Sequence, residues 1–340
     1  MTGPDSADRH AWERPGAHEE APGIYRIPLP LPGDHLKAVN VYAIADGEQV
    51  VLVDGGWAMG DAQELLASSL ASIGYGLDQI REFLVTHMHR DHYTQAIAIR
   101  RAFGGNVALG EGERLCLDAM RTVTVHPDVA RLAEAGATAL SELIANWHGE
   151  RDLTDWEYPD RWLADQIELP LKSRTLRVIS TPGHTRGHVV FHDVDANVLF
   201  AGDHVLPHIT PSIGIELTRP PSPLRDYMAS LQLMQQMPDA TLLPAHGPAG
   251  MSLHARVDEL LEHHEHRLTL TAEAVDGGAS TGFEVANALG WTRRNRHYDE
   301  LDEFNQIMAV NETMAHLVVL VERGWLTRSL VDGVAHFARA

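Results

Sequence analysis

Between residues 23 and 250 short apolar runs recur, most of them closed by a turn or polar residue. The segments "GIYRIPLPL", "NVYAIA", "QVVLVDGG", "REFLVTH", "NVALG", "LRVISTPGH", "HVVFHD", "VLFAGDH" and "TLLPAHG" read as strands. Several end in Gly, Asp, His or Pro, so polar groups gather where strands become loops. Between some of them the apolar spacing changes to three and four residues, in "GDAQELLASSLASIG" at 60–74 and "TQAIAIRRAFG" at 94–104, which predicts helices. The alternation predicts a layered α/β domain over 23–252. The first 22 residues are polar and without period, and are expected to form a disordered tail.

Two stretches break the alternation. From about 111 to 168 the strands stop, and helical sequence such as "DVARLAEAGATALSELIANW" predicts an insertion over the mouth of a site. Its His126, Trp147, His148 and Trp156 could line a substrate pocket, although helix packing or surface roles are commoner for such residues. Beyond the last strand, "LHARVDELLEHHEHRLTLTAEAV" predicts a long helix. Of its Glu262, His263, His264 and His266, only Glu262 and His266 share the four-residue spacing that brings side chains together, so a solvated face is expected. A further helix ending at Gly324, then two short strands turning at Asp332-Gly333, completes a small winged-helix-like module over 253–340.

Composition narrows the function. With 44% apolar and 22% charged residues the chain is an ordinary globular one. Its formal net charge of −20 repels polyanions, which makes nucleic acid an unfavoured partner. In the one basic cluster of the tail, Arg293, Arg294 and Arg296 stand near Asp299, Glu300, Asp302 and Glu303, a balance that favours packing or support of a homodimer over phosphate binding. The longest apolar stretch, "HLVVLV" at 316–321, is too short to span a bilayer, the amino terminus lacks a signal-peptide core, and a cytoplasmic protein is the simplest reading. Cys116 is the single cysteine, so there is no disulfide framework and no thiolate zinc cluster. Any metal centre must be built from His and carboxylates.

"FLVTHMHRDHYTQA", residues 83–96, supplies such groups. The run 83–85 reads as a buried strand, and His87 and His89, two apart at its end, point to one side if the chain is still extended. Asp91 and His92 follow after a turn, placed to face a second ion. Downstream, "TPGHTRGH" contributes His184, "FAGDH" Asp203 and "LPAHG" His246, each after an apolar run and beside a glycine. Five histidines and two aspartates from four strand ends suit a pair of borderline divalent ions.

In these motifs the chain, over roughly residues 23–250, resembles the metallo-β-lactamase superfamily, and within it the branch of glyoxalase II-like hydrolases and lactamase-like protein 2. The resemblance implies an αββα sandwich. It implies that His87, His89 and His184 bind one ion, Asp91, His92 and His246 a second, and Asp203 both, with zinc as the leading metal and iron or manganese as alternatives. Asp54, in "VLVDGG", matches the family's aspartate at a strand end and is expected to support the ligands by hydrogen bonding. His188 and His204 are expected to be supporting or spacing residues. The flavodiiron pattern would place Glu at His89, and this chain departs from it.

The expected activity is dinuclear metal-dependent hydrolysis of a carbonyl substrate, a thioester or ester, by a metal-bridging hydroxide. Asp91 would orient that hydroxide and take up a proton, while His208, Arg225 and Tyr227 are candidate substrate contacts. The alternatives are a lactonase or β-lactamase, a phosphodiesterase or ribonuclease, a persulfide dioxygenase with a single iron, and a non-enzymatic nucleic-acid-binding winged-helix protein. No G-x-S-x-G elbow is present to support a serine nucleophile.

Overall fold

The computed structural model of the chain describes residues 10–33, 36–147, 152–292 and 295–340. The first sheet has the strands β1 His18–Ala21, β2 Ile24–Pro30, β3 Ala38–Asp46, β4 Gln49–Val53, β5 Ile80–Val85, β6 Asn106–Gly110 and β7 Arg161–Leu163, side by side in that order. Its helices are α1 Gly60–Ser72 and α2 Arg90–Phe103, followed by α3 Arg114–Thr122, α4 Pro127–Glu134 and α5 Thr138–Ala145 before β7. The second sheet contains β8 Glu168–Pro170, β9 Thr175–Ser180, β10 Val189–Asp193, β11 Val198–Gly202 and β12 Thr241–Pro244, with α6 Pro223–Gln236 between the last two. Then come α7 Leu253–Asp276, α8 Gly282–Ala288, α9 Glu303–Glu322 and the hairpin of β13 Leu326–Val331 and β14 Val334–Arg339.

The period of two along each strand explains the layers. On β4, Val51 and Val53 face the second sheet and meet Val178, Phe191 and Phe200, while Val50 and Leu52 face outward onto Leu66, Leu70 and Ile97 of α1 and α2. On the other side Ile179, Val190 and Leu199 turn outward beneath α6, α7 and α9. Both sheets are therefore buried on both faces, as the near-continuous apolar strands require. The result is the expected αββα sandwich. None of the helices among the described residues is long and apolar enough to cross a membrane.

Three expectations change. Part of the stretch read as a disordered tail is ordered, because His18 and Glu19 pair with Arg26 and Tyr25 on β2. The insertion is not wholly helical, since β7 pairs with β6 and extends the first sheet. The α7 histidines do not share one solvated face: Glu262 and His266 are exposed, but His264 is buried. His264 lies four residues from both Leu260 and Leu268, on the stripe that packs inward, and its ring stands edge-on to Tyr227 and 5.5 Å from His316.

The C-terminal helices and hairpin share one apolar core with the outer face of the second sheet. The hairpin turn has left-handed backbone at both Asp332 and Gly333, the pattern expected of a tight two-residue connection. Of the tail arginines, Arg293 and Arg294 lie outside the described residues, and Arg296 is exposed.

Direction is what positions the site. Strands β4 and β5 are parallel, while β9 and β11 both run antiparallel to β10 and so run the same way as each other and as β12. The carboxyl ends of β5, β9, β11 and β12 carry His87, His184, Asp203 and His246. The two sheets meet there at Gly202, where the backbone is left-handed and an added Cβ would stand 2.7 Å from Thr86 and 2.8 Å from His188. Gly187 has no such freedom to spare either, because a Cβ on it would overlap the backbone of Glu113. Gly187→Ala is therefore expected to destabilise the fold by about 1–3 kcal/mol, since backbone cannot move aside as a flexible side chain would. Urea denaturation measures this, and an unchanged midpoint would show that the two segments do not pack so closely.

Candidate metal centre

Asp54 closes β4 with a left-handed backbone, φ 62°, that turns its carboxylate into the gap beyond β5. There it accepts hydrogen bonds from the Thr86 amide at 2.8 Å and the Thr86 hydroxyl at 2.9 Å, and from His92 Nδ1 at 2.9 Å. Having given its only proton to Asp54, the Thr86 hydroxyl must accept from His87 Nδ1, 3.1 Å away. His184 Nδ1 donates to the Ser212 carbonyl and His246 Nδ1 to the Ala38 carbonyl, each at 2.8 Å. Four rings are thus held by one nitrogen, with the other, Nε2, aimed into the site.

The candidate ligand atoms form two groups. His87 Nε2 and His184 Nε2 lie 2.9 and 3.0 Å from His89 Nδ1, so the three ring nitrogens face one another. His92 Nε2 and His246 Nε2 lie 3.6 and 3.4 Å from Asp91 Oδ2. Asp203 stands between them. Its Oδ2 is 3.5 Å from His184 Nε2 and 4.0 Å from His87 Nε2, and its Oδ1 is 3.6 Å from His92 Nε2 and 3.4 Å from His246 Nε2. Ligand atoms around one tetrahedral zinc, at roughly 2.1 Å each, lie about 3.4 Å apart. The spacings fit. So does the hydrogen bonding, because His92 Nε2, His246 Nε2 and Asp203 Oδ1 are buried with no partner. The His/Asp cluster is therefore of a kind that holds divalent metal.

Charge separates the two groups. Burial, reinforced by the neighbouring rings, holds His87 well below the ordinary imidazole range, His89 down to about 3 and His184 down to about 4, so these rings are neutral donors at pH 7. Burial opposes a charge on His92 too, but Asp54, Asp91 and Asp203 outweigh it and raise that ring to about 10. Asp203 and Asp91 raise His246 against the same burial. Asp91 is held below the usual carboxylate range by His92 and His246 despite its burial. The carboxylates of the second group thus favour positive charge there, which a dication can supply.

The remaining sequence candidates fall elsewhere. Tyr227 is fully buried, its hydroxyl donating to the His204 carbonyl at 2.9 Å and its ring edge-on to His204, contacts that support the fold. Arg225 is exposed and paired with Asp226 and Glu322, and it does not face the cluster. His208 is exposed, next to Gly247 on the loop that follows His246. His188 stacks 5.0 Å from His87 and accepts the Asp203 amide, the supporting role expected of it. In the insertion, His126 caps α4 and lines a cavity of about 450 Å³ with Trp147, while Trp156 packs on Tyr93. His148 lies outside the described residues. Sequence reasoning missed Thr86, although it stands directly before the histidine motif, and the Ala38 and Ser212 carbonyls, which leave no residue-type signal.

Asp54→Asn keeps a side chain that tolerates the left-handed backbone but places an amide against two donors. We expect it to weaken metal binding by about 10–100-fold, read by competition with a chelator. Unchanged affinity would show that Asp54 does not hold His92 in place.

Comparison with known proteins agrees with this geometry. Residues 36–246 match the metallo-beta-lactamase superfamily. Lactamase-like protein ptaB of Pestalotiopsis fici is 23% identical over 325 residues, covering 91% of this chain and 87% of that protein. The atrochrysone carboxyl ACP thioesterase of Aspergillus fumigatus is 24% identical over 223 residues, 66% of this chain but only 41% of that protein. A metallo-beta-lactamase family protein from Thermus thermophilus superposes with a TM-score of 0.76 at 26% identity, over 94% of this chain and 99% of its own. The matched span exceeds half of the chain and carries all seven clustered His and Asp side chains, and the chain accordingly belongs to the metallo-beta-lactamase superfamily.

Proposed function

We propose that the chain is a metal-dependent hydrolase whose substrate is a thioester or ester. The observation that carries this is Asp203, whose two carboxylate oxygens each face a separate group of ligand atoms. We assign His87, His89 and His184 to one divalent ion, Asp91, His92 and His246 to another, and Asp203 to both, with zinc as the leading metal. Bound ions of this kind supply hydroxide at neutral pH, by lowering the pKa of water towards about 7, and polarise a carbonyl. Asp91 is the most accessible acid of the cluster, and its ionised carboxylate can accept a proton from the attacking water and return it to the leaving group. Cys116 offers no competing nucleophile, because burial, then Glu216 and Glu113, push its thiol up to about 12.

The thioester reading is supported by the named activity of the Aspergillus relative, and with no G-x-S-x-G elbow in the sequence and Cys116 held as a thiol, water is the attacking group. A phosphodiester is disfavoured by the net charge of −20, which opposes approach of a polyanion. Two ligand groups where a mononuclear iron enzyme needs one argue against the dioxygenase.

Elemental analysis of the purified protein is expected to find two divalent ions per chain. Retention of one iron and no second ion would favour the dioxygenase instead. Asp203→Ala is expected to abolish turnover and weaken both ions, whereas His266→Ala, on the exposed face of α7, should change neither. Metal loss from the His266 variant alone would overturn the assignment. In a panel of thioesters, simple esters, lactones, a β-lactam and a phosphodiester, the highest kcat/KM is expected on a thioester or ester, and a clear preference for any other member refutes that substrate class.

A further inference from the structure

Beside the His184 loop lies a second group of acidic side chains that the hydrolytic centre does not use. Glu113, Cys116 and Glu216 are all buried, and each offers a ligand atom within 4.8 Å of the other two. Their contacts account for only part of them. Glu113 Oε1 accepts from the Thr185 hydroxyl, and Glu216 Oε2 accepts from the Arg186 amide at 3.0 Å and from Cys116 Sγ at 3.3 Å. Cys116 Sγ is also 2.8 Å from the Thr218 hydroxyl. Glu113 Oε2 and Glu216 Oε1 are left buried with no hydrogen-bond partner.

An oxygen in that state is unfavourable, and two in one pocket are more so, because ionising both carboxyls sets like charges together out of water. The nearby cations, Arg186 and Arg131, favour the ionised carboxylates but are outweighed by burial, which leaves both carboxyls raised. Arg186 Nε donates to the Thr218 carbonyl, and Arg131 donates to the Glu216 and Leu217 carbonyls and to Asp128. Among the described hydrogen bonds neither guanidinium reaches a carboxylate oxygen of Glu113 or Glu216. The local backbone does favour negative charge, since Glu113 is the N-cap of α3 and Cys116 lies in its first turn, at the positive end of the helix.

We propose that Glu113, Cys116 and Glu216 form a third cation site, separate from the His/Asp centre, which takes a borderline divalent ion such as zinc or cobalt(II). A thiolate and two carboxylates suit such an ion, and the Thr218 hydroxyl stands beside the sulfur. On binding, the dication replaces the thiol proton and the carboxyl protons that burial retains. Burial, with Glu216 opposing ionisation, raises Glu113 to about 8, and burial raises Glu216 as well. Uptake therefore releases protons and strengthens as pH rises. An ion here would tie the start of α3 to the 216–218 segment and, through Thr185, to the loop that carries His184.

Because Cys116 is the only cysteine, the site has a signature that the hydrolytic centre cannot produce. The full-length protein is stripped of metal and titrated with cobalt(II) under reducing conditions. The expected result is a third cobalt per chain, accompanied by a thiolate-to-cobalt charge-transfer band in the near ultraviolet that grows with pH. Cys116→Ser and Glu216→Gln should lose the band and one cobalt while keeping the other two. Saturation of the His/Asp centre with no charge-transfer band in the unaltered protein overturns the proposal, and that measurement does not depend on any variant folding. A band that survives Glu216→Gln at full strength also overturns it, since sulfur alone would then be holding the metal. The result is independent of the hydrolase reading, because the band reports on the sulfur and not on turnover.

Discussion

The centre depends on one electrostatic constraint. Five imidazoles and two carboxylates can share a space shut off from water only if each ring is prevented from turning its N–H towards its neighbours. Asp54 meets much of that requirement. It fixes His92 directly and His87 through the Thr86 hydroxyl, so two ligand candidates from different groups answer to one carboxylate. The Ser212 and Ala38 carbonyls do the same for His184 and His246. His89 is the exception, meeting its neighbours through Nδ1 and not Nε2.

The architecture follows from that constraint. Groups held by single hydrogen bonds keep their spacing only on backbones that do not move, and the carboxyl ends of strands packed inside the sandwich supply such backbones. Two sheets doubly buried between helices, meeting at Gly202, bring four such ends to one edge without any loop having to cross the interior. The left-handed backbone at Asp54 belongs to the same design: it costs local stability and aims a carboxylate where an ordinary strand end would not.

The parts of this arrangement that could be read in the sequence are those carried by residue type and period. Buried strands showed as apolar runs of five or six residues, and the ligand candidates showed because His and Asp at strand ends are chemically conspicuous. Carbonyl partners could not show, since any residue at 38 or 212 would provide them. The surroundings of Tyr227 and Arg225 could not show for a related reason: a helix places polar side chains in every direction, and only the packed structure reveals that one faces a buried histidine and the other Glu322. His264 was legible and misread. Its four-residue spacing to Leu260 and Leu268 marks the inward stripe, but the adjacent histidine and glutamates drew attention to composition over period. The tail strand β1 failed differently, because an edge strand of four residues pairs on one side only and needs little apolar sequence.

The same distinction separates the chemistry of the site from its selectivity. Hydrolysis by water activated at a metal centre makes few demands beyond the cluster, and every residue of that cluster lies on the sandwich. The insertion of α3 to α5 contributes nothing to the cluster, and its α4 and α5 pack instead against the C-terminal helices and hairpin. The cavity lined by His126 and Trp147 lies entirely within the insertion, and none of its lining residues belongs to the cluster. A scaffold with its candidate ligands at strand ends and a separate insertion of helices of eight or nine residues can therefore change the insertion without moving the ligands.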